Sequence, residues 1–209
     1  LSIRRQRQMC KETGVIVAEN QTLTIHGSTS NSGTFDGTLG TVSFAGAAQN
    51  IPAGNYLNIT TNANTKSLPT SGVVNISGNL TLGGALTTTS STINFAGTAN
   101  QTIPAITYNN LTLSNGAKTI SGLVNINGAC TLQNNATVAL SNQFRTHGSL
   151  FLDATSNFQV NSNTDIEING SAASAVRFAN NFNTIRNLRI NPTTNATITC
   201  LLYTSPSPR

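Results

Sequence analysis

The chain has 209 residues, of which 37% are apolar and only 8% charged, with a formal net charge of +5. Globular domains carry about 25% charged residues, so acids, bases and metal ligands are scarce here; the Thr/Asn/Ser/Gly texture between short apolar runs also argues against a charge-rich disordered chain. No apolar run approaches the roughly 18 to 20 residues of a membrane-spanning helix, so no membrane insertion of that kind is expected.

In chain order, the first feature is an end that does not belong with the middle. Arg4-Arg5-Gln6-Arg7-Gln8-Met9-Cys10 opens the chain, and Cys200-Leu201-Leu202-Tyr203-Thr204-Ser205-Pro206-Ser207-Pro208-Arg209 closes it. Both resemble translated adapter DNA of transposase-made sequencing libraries, over residues 4–13 and 200–209. Non-native tails are set aside before fold reasoning, which divides the chain into a tail at 1–13, a repeat region at 14–199 and a tail at 200–209. Lys66, Lys118, Arg145, Arg177, Arg186 and Arg189 then face Glu19, Asp36, Asp153, Asp165 and Glu167, a net of +1. The basic balance belongs to the ends, and a nucleic-acid partner inferred from it falls away. Cys10 and Cys200 leave with the tails, so Cys130 has no partner for an intramolecular disulfide or a Cys-based zinc site. The region 14–199 lacks Met and cuts its repeat at both sides, so it is expected to be a piece of a larger protein.

The middle repeats itself. Thr41-Val42-Ser43-Phe44-Ala45-Gly46 returns as Thr92-Ile93-Asn94-Phe95-Ala96-Gly97, a shift of 51. Gln49-Asn50-Ile51-Pro52-Ala53 returns as Gln101-Thr102-Ile103-Pro104-Ala105, and Val74 to Leu82 returns as Val124 to Leu132. A decayed third copy begins at Val176-Arg177-Phe178. Inside this period lies one of about 20 residues: Gly128-Ala129-Cys130-Thr131-Leu132 is echoed by Gly148-Ser149-Leu150-Phe151-Leu152.

From Val74 to Leu82, and again from Val124 to Leu132, apolar and polar residues alternate with the period of a strand. That places Val74, Ile76, Leu80, Leu82, Val124, Ile126, Cys130 and Leu132 inward, and Asn75, Thr81, Asn125 and Thr131 outward. Leu150 and Leu152, Ile166 and Ile168, and Leu188 and Ile190 are shorter versions. Turn clusters separate them: Ser32-Gly33, Leu82-Gly83-Gly84, Ser114-Asn115-Gly116, Gln133-Asn134-Asn135 and Asn191-Pro192. Short strands at this spacing allow β-sandwich repeats or a solenoid. Near-constant unit length favours the solenoid, because no single unit can bury its apolar face alone. The expected fold is all-β, a parallel β-helix of eight or nine coils of about 20 residues, with Asn side chains hydrogen-bonded coil to coil.

Phe-x-Gly, then Gln-x-Ile, then Asn-Leu-x-Leu, then Val-x-Ile-x-Gly-x-Leu-x-Leu resembles the repeats of large secreted or surface proteins of Bacteroidota-type bacteria, adhesin-like β-solenoids. The carriers are Phe44, Gly46, Gln49 and Ile51; Phe95, Gly97, Gln101 and Ile103; and Asn110 to Leu113. The third copy departs, with Asn180 in place of Gly and Asn183 in place of Gln. The resemblance implies an extracellular or cell-surface stalk or adhesive segment, with flanking repeats of the same chain. Surface glycans or proteins of a host or neighbouring cell are its expected partners, and it implies no cofactor.

Candidate chemistry is sparse, and no catalytic, cofactor-binding or metal-ligating set is expected. Asp165 and Glu167 share one strand face and Asp153 sits about one coil earlier; clustered carboxylates would suit calcium or glycan cleavage, but a solvated face is the plainer reading. A 20-residue coil would stack His147 over Glu167. His26 stands alone, and Cys130 reads as a small buried hydrophobe. Arg177, Arg186 and Arg189 would form an anionic-glycan patch if they met. Finally, Thr22-Leu23-Thr24 is the kind of pair seen on ice-binding solenoid faces, although the outward position of Leu-Thr-Leu passes from Thr81, Thr112 and Thr131 to Phe151, Glu167 and Arg189, a broken column. The candidate functions are thus a structural or adhesive segment, a polysaccharide-active enzyme, or an ice-binding surface.

Overall fold

The computed structural model describes residues 15–29, 35–170, 176–179 and 184–191. The two tails, Ser32-Gly33, Asn180, Asn183 and Pro192 lie outside the described residues. Within them the chain forms 22 strands and no helix. Every strand pairing is parallel. Parallel strands need a crossover between partners, and here each crossover is the rest of one coil. The result is a β-solenoid of about eight coils. The parallel pairing removes the sandwich alternative.

The strands stack into sheets of ten, five, four and three strands that wall a single core. Coil length is not constant. Stacked partners are 17 residues apart at Thr41–Asn58, 20 at Asn55–Asn75, 18 at Asn94–Thr112, 20 at Thr131–Phe151 and 22 at Arg145–Glu167.

The inward parity holds. Val74, Ile76, Leu80, Val124, Ile126, Cys130 and Leu132 are buried, and Leu82 is partly buried against the same core. Each fully buried aliphatic contributes roughly 1.5 to 3 kcal/mol. Aromatic side chains extend the core between coils: the rings of Phe35 and Tyr56 stack at 5.1 Å, and those of Phe144 and Phe158 meet at 5.4 Å. The Tyr56 hydroxyl donates to Pro52 O and that of Tyr108 to Pro104 O, both at 2.8 Å. This repeated bond explains why a Tyr can sit in so apolar a core.

One expectation is corrected. Val74 to Leu82 and Val124 to Leu132 are not continuous strands. The first divides into Val73–Ile76 and Leu80–Thr81, the second into Val124–Ile126 and Cys130–Gln133. The latter two lie in different sheets. The bend falls at the glycine: the N–H of Gly78 donates to Leu57 O and that of Gly128 to Asn109 O, both at 2.7 Å. Later corners stack glycine on glycine. A Cβ at Gly148 would stand 2.1 Å from Gly128 O, so this corner closes only without side chains. Parity survives the bend because Leu80 follows Ile76, and Cys130 follows Ile126, by an even offset of four residues.

Two of the turn clusters named from the sequence contain left-handed residues, while Asn20, Ser90 and Gly72 adopt positive φ outside any of them. Asn115, Gly116, Asn134 and Asn135 have φ of 60°, 50°, 57° and 63°, a region that Asn and Gly occupy at low cost.

Candidate functional site

The outward columns carry whatever this molecule shows to its surroundings, and they are of two kinds. The first is amide. Asn75 Nδ2 donates to Asn55 Oδ1 and Asn94 Nδ2 to Asn75 Oδ1, both at 3.0 Å, and Ser114 Oγ donates to Asn94 Oδ1 at 2.9 Å. Each side chain satisfies the next coil, as the expected ladder requires. Asn58 and Asn110 act differently, accepting from the Asn79 and Ala129 backbone N–H groups at 2.9 and 2.8 Å to pin the corner of the following coil.

The second kind is hydroxyl. Thr22 stacks on Thr41 and then Asn58, while Thr24 stacks on Ser43, Thr60 and then Thr81. The pair Thr22-x-Thr24 therefore belongs to a two-column grid with paired hydroxyls on two rungs, Thr22/Thr24 and Thr41/Ser43, after which Asn58 takes the place of one hydroxyl. The single outward column read from the sequence does not exist. Thr81 stacks on Thr60; Thr112, Thr131 and Phe151 continue the column of Asn55, Asn75 and Asn94; Arg145, Glu167 and Arg189 form a third. Unequal coil lengths split it.

The charged residues gather at the late coils, though not as the sequence suggested. Because the coil from Arg145 to Glu167 has 22 residues, Arg145, not His147, stacks on Glu167. Arg145 Nε lies 2.6 Å from Glu167 Oε2, and Arg189 Nη1 lies 3.9 Å from Glu167 Oε1. Asn169 Nδ2 also donates to Glu167, and together with Arg145 holds that carboxyl below its usual range. Arg186 forms an ion pair with Asp165, and Asn187 Nδ2 donates to it at 2.8 Å, holding the Asp165 carboxyl down to about 2. Both carboxylates are thus bound up in ion pairs at the surface.

Asp153 joins neither. Burial pushes its carboxyl up, but donors from Ser156, Asn134 and Thr155 outweigh that and bring it down to about 2. It caps its own loop and ties it to the previous coil through the Asn134 N–H at 2.6 Å. Arg177 is diverted to the backbone, its Nη1 donating to Asp153 O at 2.6 Å. The anionic-ligand patch of Arg177, Arg186 and Arg189 is therefore not assembled. His26 and His147 are exposed. Cys130 is 1% exposed between Leu111 and Leu150, and burial pushes its thiol up. Among the described residues, no three His, Cys, Asp or Glu side chains converge as a metal site.

The most unusual polar groups are the two glutamines that mark the sequence repeat and two lysines that the sequence reading left among its charges. Gln49 and Gln101 are buried brackets. Gln49 Oε1 accepts from the Gly46 N–H at 2.7 Å, while its Nε2 donates to Ile25 O at 2.9 Å and Gly27 O at 2.7 Å. Gln101 does the same with Gly97, Ile76 and Gly78.

Beside each bracket lies a buried lysine, Lys66 at 1% and Lys118 at 0% exposure. Lys66 Nζ donates to Gly46 O at 3.1 Å, Ala47 O at 3.0 Å, Asn64 O at 3.1 Å and Asn62 Oδ1 at 2.6 Å. Lys118 Nζ donates to Gly97 O at 2.8 Å and to Asn115 O. Burial lowers both amines, Lys118 to about 8. A signal was present: Lys118 falls on the inward parity of Ala117–Ile120, and Lys66 lies 52 residues before it.

Comparison with protein-family models, with curated proteins and with solved structures finds no match to this chain.

Proposed function

We propose that this segment is a non-catalytic rod, a spacer or adhesive surface displayed outside a bacterial cell and continued by flanking repeats of the same chain. The observation that carries the reading is the amide column of Asn55, Asn75 and Asn94, whose last carbonyl oxygen accepts from the buried Ser114 hydroxyl. Its polar groups are spent on the neighbouring coil, and the core beneath it is continuous. Such a surface gains rigidity from repetition and leaves few groups for chemistry. About eight coils at a strand spacing of ~4.8 Å give a rod of about 38 Å. The ion-paired carboxylates Asp165 and Glu167 serve as coil-to-coil ties in this reading, and surface glycans or neighbouring-cell proteins are its partners.

The test is a retention and turnover screen on pectin, alginate and neutral surface glycans. Retention without turnover is the expected result. Turnover that disappears in Glu167→Gln or Arg145→Ala overturns the reading in favour of a glycan-active enzyme.

A second reading is favoured by the hydroxyl grid. Its rungs repeat at about 4.8 Å and its two columns stand roughly 6.7 Å apart, spacings close to oxygen repeats in ice. Inhibition of ice recrystallisation, lost in Thr60→Tyr, would support it; activity that is absent, or unchanged in that variant, removes it.

A further inference from the structure

We propose that the oxygen cages around Lys66 and Lys118 are monovalent-cation sites, in which the lysine delivers its own cation on a tether and so clamps one coil to the next. The acceptors are all neutral oxygens: Gly46 O, Ala47 O, Asn64 O and Asn62 Oδ1 around Lys66, and Gly97 O and Asn115 O around Lys118. None is a carboxylate, so the cage suits a single positive charge. The distances around Lys66, 2.6 to 3.1 Å, exceed those at which oxygen binds magnesium, about 2.0 to 2.1 Å, and mostly exceed those for calcium, about 2.3 to 2.6 Å. They fit an ammonium or potassium ion.

The cages are built twice on one plan. In each, a glycine carbonyl from the coil below faces the ammonium, and a buried glutamine holds that glycine's N–H: Gln49 on Gly46 at 2.7 Å and Gln101 on Gly97 at 2.8 Å. In each, an asparagine on the lysine's own coil donates from Nδ2 to the residue before that glycine, Asn62 to Ala45 at 2.6 Å and Asn115 to Ala96 at 3.0 Å. The ammonium thus joins carbonyls 20 and 21 residues back to oxygens of its own coil. The next residues up the two stacks, Leu86 over Lys66 and Val138 over Lys118, are apolar. The clamp therefore occurs once per sequence repeat, not once per coil.

The experiment uses the full chain with Lys66→Ala and Lys118→Ala, each unfolded thermally in sodium, potassium, ammonium, propylammonium or tetramethylammonium chloride at equal ionic strength. The expected result is a lowered midpoint for each variant in sodium or tetramethylammonium, restored in a saturable way by potassium, ammonium or propylammonium. A cation at ten times its Kd raises the folded-to-unfolded ratio about elevenfold. The unsubstituted chain should show no such discrimination. Equal recovery in every salt, or recovery in none, overturns the proposal. Should a variant fail to fold in sodium, refolding from urea decides the matter: folded protein recovered only with potassium or the protonated amines supports the cage, and failure in all five salts overturns it.

Discussion

Phe44 and Phe95 occupy the same place in the sequence repeat but different columns of the solenoid. Phe95 stacks on Ile76, which stacks on Tyr56, whereas Phe44 stacks on Thr61, five residues further along the same strand. The 51-residue repeat is therefore not a whole number of coils, and each copy is carried part of a turn around the axis. Lys66 and Lys118 follow suit, the first in the three-stranded sheet and the second in the four-stranded sheet. Identical local packing is thus presented on successive faces, which staples the rod from more than one side.

The glycine corners set a steric test. Gly148→Ala would place a methyl 2.1 Å from Gly128 O, while a Cβ at Gly27 meets nothing within 4 Å. Forcing a corner apart lies in the overpacking class, so Gly148→Ala should cost about 1 to 3 kcal/mol or more, and Gly27→Ala should stay within about 0.5 kcal/mol of the parent. Urea unfolding of the two variants checks this; equal midpoints would refute the close-approach argument.

Thr146 is an error in an otherwise apolar column. It is fully buried between Ile126 and Ile168, and its Oγ1 has no hydrogen-bond partner. Replacing an unsatisfied buried hydroxyl with a methyl of the same shape removes a desolvation penalty of about 1 to 3 kcal/mol. Thr146→Val should therefore stabilise the fold, read as a higher denaturation midpoint at unchanged m-value. A destabilised variant would mean that the hydroxyl is satisfied in solution.

Lys118 predicts behaviour in alkali. Its amine sits near 8 in the folded chain, against an ordinary value of 10.5. Between these values the unfolded chain holds more protons, so stability should rise with pH through that window. Below pH 8 the cost of burying the charge is fully present. In Lys118→Met the rise between pH 8 and 10.5 should shrink, as followed by chemical denaturation at each pH. A parent whose stability falls through the window contradicts this sign.

The acid limb has the opposite origin. Asp153 and Asp165 lie near 2 when folded, against an ordinary value of 3.8. Their contribution is present above pH 4 and is lost as pH falls towards 2, where the folded carboxylates protonate. Asp153→Asn keeps an acceptor without the charge and should flatten part of this limb. An unchanged slope between pH 4 and 2 would show that the Asp153 loop does not couple to unfolding.

The sequence by itself determined which side of the wall the alternating apolar residues occupy. Period-two alternation is a local property, and it placed Val74, Ile76, Val124, Ile126, Cys130 and Leu132 correctly, even across corners that were not foreseen. It also carried the all-β class and the parallel stacking, because near-equal units must bury their faces on one another. It even carried the anomaly of Lys118, which stands at an inward position between Ala117 and Ile120. What only the tertiary structure decided is which residue lies above which. Stacking partners depend on the summed length of every loop in a coil, and coils here vary from 17 to 22 residues. A two-residue difference keeps parity but changes the neighbour, and so Glu167 meets Arg145 instead of His147. The lysine cages, the hydroxyl grid and the dispersal of the arginines all follow from those lengths, which no local pattern encodes.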